Sequence, residues 1–88
     1  MKRTNYASEW MIARVANLKR HGVTSFYCEA TWIDSKGRER REMVTRKTAQ
    51  GISSYANRAY LKHGDGISVA VYYFDEDLRF RTLTTYGA

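Results

Sequence analysis

Apolar positions along the chain follow first a helical and then a two-residue period, and the alternation happens twice. Between Ser8 and Gly22, Met11, Val15 and Leu18 fall at i, i+4 and i+7 with Ile12 and Ala16 beside them, a stripe of helical period. Ser8 is placed to cap its start and Glu9 sits in the positive first turn. Lys19, Arg20 and His21 sit at the negative end, where Gly22 supplies a left-handed stop. A second period runs through the same stretch: Trp10, Ile12, Arg14 and Ala16 alternate with Met11, Ala13 and Val15, so a buried strand over Glu9 to Val15 competes with the helix. Caps at both ends agree with the helical period and favour the helix.

Thr24 to Ile33 alternates Phe26, Cys28, Ala30 and Trp32 against Tyr27, Glu29, Thr31 and Ile33, the pattern of a half-buried strand. Asp34-Ser35-Lys36-Gly37 is turn chemistry, with Gly37 suited to a positive φ. Arg38 to Arg46 returns as a strand whose apolar residues are only Met43 and Val44, and such charge suits a sheet edge.

The second half repeats the order. Thr48 caps a helix in which Ile52, Tyr55, Ala56, Ala59 and Tyr60 share one face, and Lys62, His63 and Gly64 close it as Lys19 to Gly22 close the first. Gly51 is expected to weaken its first turn slightly. Gly66 to Phe74 is apolar on both faces, which marks a central strand. Asp75-Glu76-Asp77 reverses the chain, and Leu78 to Tyr86 is the partner strand. A turn centred on Glu76-Asp77 sets Tyr73 opposite Phe80 and Val71 opposite Thr82. Tyr72, Phe74, Arg79, Arg81 and Leu83 then share the face away from the helices, and a one-residue slip inverts that assignment.

The pattern predicts an α+β fold over residues 1–88: an antiparallel four-stranded sheet of two hairpins with two helices on one face, in the order α-β-β-α-β-β, preceded by a short basic arm over residues 1–7. Its core is expected to join Phe26, Trp32, Ile52, Tyr55, Ala59, Val69 and Val71. If Glu9 to Val15 is a strand, the order becomes β-β-β-α-β-β. Charged hairpin and helix then resemble the sheet-plus-helix DNA readers, in which three strands precede a helix; the resemblance brings no site residue with it.

Composition narrows the function. The chain is 88 residues long, 43% hydrophobic and 27% charged, an ordinary globular balance with room for one modest core and none for a deep catalytic cleft besides. Fifteen Lys and Arg against nine Asp and Glu leave a formal charge of +6, which favours nucleic acid or an acidic protein surface as partner. A single cysteine excludes an intrachain disulfide and a cysteine-rich zinc site. With no apolar run of spanning length, the expectation is a cytoplasmic protein without a membrane span, cofactor or metal.

Two groups of residues stand out as binding candidates. Lys36, Arg38, Arg40, Arg41, Arg46 and Lys47 would line the first hairpin with guanidinium forks suited to phosphate oxygens. On the open sheet face, Tyr27, Thr31, Arg40, Arg46, Tyr72, Arg79 and Arg81 would combine rings for stacking on bases with cations for the backbone. Lys2, Arg3 and Tyr6 would make a groove-entering arm. His21 and His63 read as helix-end residues interacting with terminal carbonyls, and Cys28 as a small buried hydrophobe. Asp75, Glu76 and Asp77 read as a solvated turn, unaccompanied by the base or lysine that a nuclease needs. The resulting expectation is a non-enzymatic nucleic-acid-binding domain. The alternative is a small interaction protein acting as inhibitor or adaptor, and a homodimer formed by pairing edge strands is compatible with either.

Overall fold

A computed structural model describes residues 8–64 and 66–87. The elements are α1 (Glu9–Arg20), β1 (Phe26–Ile33), β2 (Glu39–Arg46), α2 (Ala49–His63), β3 (Ser68–Phe74) and β4 (Phe80–Gly87), the α-β-β-α-β-β order expected. The competing strand over Glu9 to Val15 is not formed: that segment is helical, and among the described residues two strands precede α2, not the three of the DNA readers. Met11, Val15 and Leu18 are buried at their helical spacing, while Ile12 and Ala16 at the margins of the stripe are exposed. Proposed arm residues Lys2, Arg3 and Tyr6 lie outside the described residues.

Local chemistry sets the helix ends. Ser8 occupies the N-cap of α1, but its side chain makes no capping bond; its carbonyl accepts from the Ile12 N–H. At the other end the Val23 N–H reaches the Leu18 carbonyl and the Gly22 N–H that of Lys19, with Gly22 at φ 99° and Val23 and Leu18 both buried: a complete Schellman motif. Thr48 caps α2 through its side chain, Oγ1 accepting from the Gly51 N–H at 2.9 Å. Gly51 assists that cap, because a Cβ there would come within 3.1 Å of the same oxygen.

The strands form one antiparallel sheet in the order β2-β1-β3-β4, so the charged β2 is an edge as expected and the apolar β3 is central. The separation between the turn residues Asp34 and Asp75 is also that between Glu29 and Ala70, which face each other across β1 and β3. A pseudo-two-fold axis therefore passes between the two central strands and relates the α-β-β halves. Each helix lies on the hairpin of the other half. Met11 of α1 reaches β4, its Sδ accepting from the Tyr86 hydroxyl at 3.1 Å; α2 covers β1 and β2, with the Tyr55 hydroxyl donating to Glu42 Oε1 at 3.1 Å. The core gathers Phe26, Cys28, Ala30, Ile52, Tyr55, Ala59, Val69 and Val71 between the layers. Trp32, expected among them, is only half-buried because it stands near the end of β1.

Both hairpin loops are built alike. Asp34 N–H donates to the Arg38 carbonyl and Gly37 N–H to the Asp34 carbonyl; Asp75, Arg79 and Leu78 repeat both bonds. In each loop the aspartate Oδ1 also accepts two backbone N–H bonds of 2.9 Å, from Lys36 and Arg38 and from Asp77 and Arg79. The difference lies at the left-handed position, which is Gly37 at φ 79° in one loop and Leu78 at φ 64° in the other.

That second loop corrects the expected register. It is longer than a turn centred on Glu76-Asp77, so Phe74 faces Phe80 and Tyr73 faces Arg81. A bulge between Val71 and Tyr72 shifts the pairing once more and sets Val71 opposite Thr84. Arg81 consequently turns toward the helix-bearing side, Leu83 packs against the core, Arg79 stays in the loop, and Phe80 joins Tyr72 and Phe74 on the open face.

Leu78→Gly should raise stability by about 1 kcal/mol, because a branched side chain in the left-handed region costs that much. The melting temperature should climb by several degrees, and the mirror change Gly37→Leu should lower it. Tyr55→Ala should cost about 3 kcal/mol through the cavity it leaves, read from a urea denaturation midpoint.

Candidate functional site

The ring cluster and most of the strand arginines occupy opposite sides of the sheet. Cross-strand pairing places Tyr27, Tyr72, Phe74 and Phe80 on the open face, where their rings form one cluster. Tyr72 stacks on Phe80 with centroids 4.7 Å apart, Phe74 lies 4.8 Å from Phe80, and Tyr27 meets Phe74 edge-on at 5.5 Å. Phe74 and Phe80 remain 44% and 48% exposed. The charged strand residues on this face are Glu29, Glu39 and Arg41, and Arg41 Nε lies 3.1 Å from Glu29 Oε2. Tyr27 and Tyr72 are thus where the alternation placed them. Arg40 and Arg46, expected beside them, instead pair with Trp32 and Phe26 and point to the helix-bearing side, as does Arg81. The physical reason is the period of two: Arg40 and Arg46 have the parity of the core residue Val44.

Most arginines of the first hairpin are already occupied. Asp34 Oδ2 holds Arg38 Nε at 3.3 Å and Arg40 Nε at 3.2 Å, and Asp75 Oδ2 likewise holds Arg81 Nε at 2.7 Å. Lys36, Lys47 and Arg79 are exposed, at the loop tip, beyond the end of β2 and in the second loop. Backbone donation from Arg38 and Lys36, with the Arg40 charge, holds the Asp34 carboxyl below the usual carboxylate range. For Asp75 the Arg81 guanidinium is the leading cause of the same depression.

Three further cations converge elsewhere, on a groove of about 520 Å³ between β2 and α2. Arg46 forms one wall, its guanidinium 5.2 Å from the Tyr55 ring centroid and donating to the Thr45 carbonyl at 2.8 Å. Arg58 and Lys62, one turn apart on α2, form the other. None of the three has an acidic partner among the described residues; the only carboxylate lining the groove is Glu42, which accepts from Tyr55. Burial, followed by that bond, pushes the Tyr55 phenol well above its ordinary value. At the end of the groove His63 stacks on Trp32, centroids 3.9 Å apart and planes within 20°. Its expected carbonyl contact is replaced by this stack, whereas His21 keeps it, donating from Nδ1 to the Asn17 carbonyl at 2.9 Å.

Arg58, Lys62, Phe74 and Phe80 were not singled out by sequence reasoning. Arg58 and Lys62 do stand four residues apart along one flank of the apolar stripe, which was signal enough for a basic helix edge. Phe80 was hidden by the register. Cys28 is fully buried, and burial raises its thiol to about 11. Among the described residues no group of three metal-ligating side chains converges, and no helix is long and apolar enough to cross a membrane. Comparison with protein-family models, curated proteins and solved structures finds no match.

Because Asp34 and Asp75 are depressed, their stabilising contribution is complete above the ordinary aspartate value of about 3.9 and is lost as pH falls through their lower folded values. The denaturation deficit of Asp75→Asn should therefore be present at neutral pH and shrink in acid. Native Cys28 should resist alkylation at about pH 8, where an ordinary thiol with its value near 8.5 reacts, and should react fully once denatured.

Proposed function

We propose that this protein is a non-enzymatic nucleic-acid-binding protein that receives a phosphate backbone in the groove between β2 and α2. The observation carrying this reading is the convergence of Arg46, Arg58 and Lys62, all without acidic partners among the described residues, on the two walls of one groove. A guanidinium already oriented by Tyr55 loses little freedom on meeting a phosphate, and planar forks match phosphate oxygens. The formal charge of +6 supports attraction of a polyanion over longer range. Nucleic acid and a buried free thiol both fit a reducing, cytoplasmic setting.

A second reading, a small inhibitor or adaptor of another protein, draws on the aromatic open face, whose rings stand apart from the free cations. Rings half-exposed on a nearly neutral surface suit a protein contact better than a polyanion.

Arg58→Gln with Lys62→Gln, both exposed changes, should leave the fold intact and weaken binding to duplex and single-stranded oligonucleotides. The slope of log K against log salt should become shallower by about 0.7–0.9 for each phosphate contact removed. The triple change of Arg38, Arg40 and Arg41 to Gln should have the smaller effect. Unchanged affinity and slope in the Arg58/Lys62 variant would remove the groove as the site, and a larger loss in the triple variant would return it to the hairpin.

A further inference from the structure

We propose that the open sheet face is where two copies of this chain meet, face to face, leaving both basic grooves outward. Three observations lead there, and none depends on what the groove binds. First, Tyr27, Tyr72, Phe74 and Phe80 form a ring cluster that no helix covers, and Met43 and Ile33 extend the exposed apolar surface across the same face. Second, the loop beside that cluster carries Leu78, 81% exposed and held at φ 64° where the other loop has glycine. A strained backbone that presents an apolar side chain to water works against folding, and such outliers concentrate at contact sites. Third, charge selects the occupant. Glu29, Glu39 and Arg41 are the charged strand residues on this face, and Arg41 is already neutralised by Glu29. Among the described strand residues a polyanion would find no free cation there. Two chains of formal charge +6 repel wherever their cations oppose, and this near-neutral face lets them approach with those cations turned away.

The size of the face sets the strength. Four strands about 4.8 Å apart and about 26 Å long project about 500 Å² per copy, roughly 1,000 Å² in total. That is the lower end for a specific contact, so association should be weak and concentration-dependent. The contact would be isologous, each ring cluster and Leu78 packing on the partner's equivalents.

Sedimentation equilibrium of the full chain from low micromolar to near-millimolar concentration tests this. The expected result is a monomer–dimer equilibrium that tightens as salt rises, because salt screens repulsion between like-charged copies. Polyanion binding moves the opposite way, so failure of one reading is distinguishable from failure of the other. Phe80→Lys places a charge at the centre of the contact and should abolish the dimer. Leu78→Gly, which relieves strain and so should fold at least as well, should weaken it several-fold. A protein that stays monomeric throughout, or a dimer that salt dissociates, would overturn the proposal. So would a dimer unaffected by both substitutions, which would instead place the contact at an edge such as β4.

Discussion

The pairing of β1 with β3 is the constraint on which the rest of the molecule depends. These central strands come from different halves of the chain, and their helix-facing residues Phe26, Cys28, Ala30, Val69 and Val71 are all buried. Because the seam is antiparallel and the halves share one order of elements, a two-fold relation places α1 over the second hairpin and α2 over the first. A single half would leave its own hairpin uncovered and its own helix with nothing beneath it. Parity along the seam then decides which side chains point to the helices and which to the open face, and so fixes the separation of cations from rings.

That separation explains why a chain with so many arginines is less uniformly basic than its composition suggests. Asp34 and Asp75 are immobilised by backbone N–H groups and tie down Arg38, Arg40 and Arg81, while Glu29 neutralises Arg41. Three cations with no acidic partner among the described residues, Arg46, Arg58 and Lys62, meet where β2, the edge strand, is incompletely roofed by α2. There the Arg46 guanidinium lies over the Tyr55 ring at the margin of the apolar layer, a cation–π contact. Exposed apolar rings and exposed cations are thus two surfaces, each suited to a different class of partner.

Much of the architecture was legible in the sequence, and the failures have local causes. Met11, Val15 and Leu18 announced a helix because three buried residues at helical spacing outweigh a short run of alternation. Thr48 and Gly22 announced helix ends because a capping hydroxyl and a residue without a Cβ are favoured at those positions. The charged edge and the apolar central strand followed from composition alone. The register of the second hairpin did not. Leu78 takes a conformation that L-residues avoid, so nothing in Asp75-Glu76-Asp77-Leu78 advertised the loop length that the glycine makes obvious in Asp34-Ser35-Lys36-Gly37. The bulge beside Tyr72 carries no glycine either. Both features decide which face Phe80 and Arg81 occupy, and with them the make-up of the candidate surfaces. The groove was missed differently: its walls, β2 and α2, are adjacent only once the sheet order is known.

The crossed placement of the helices has a consequence for synthesis. Met11 meets Tyr86 across a sequence separation of 75 residues, and β1 waits for β3 before its second edge is paired. While the ribosome still holds the second hairpin, α2 can already close on β1 and β2, but α1 emerges with its apolar stripe unsheltered. High contact order of this kind slows folding, since loop closure must be achieved before any long-range contact rewards it. Until the second hairpin arrives, the apolar stripe of α1 and the unpaired edge of β1 are the surfaces through which the emerging chain can aggregate.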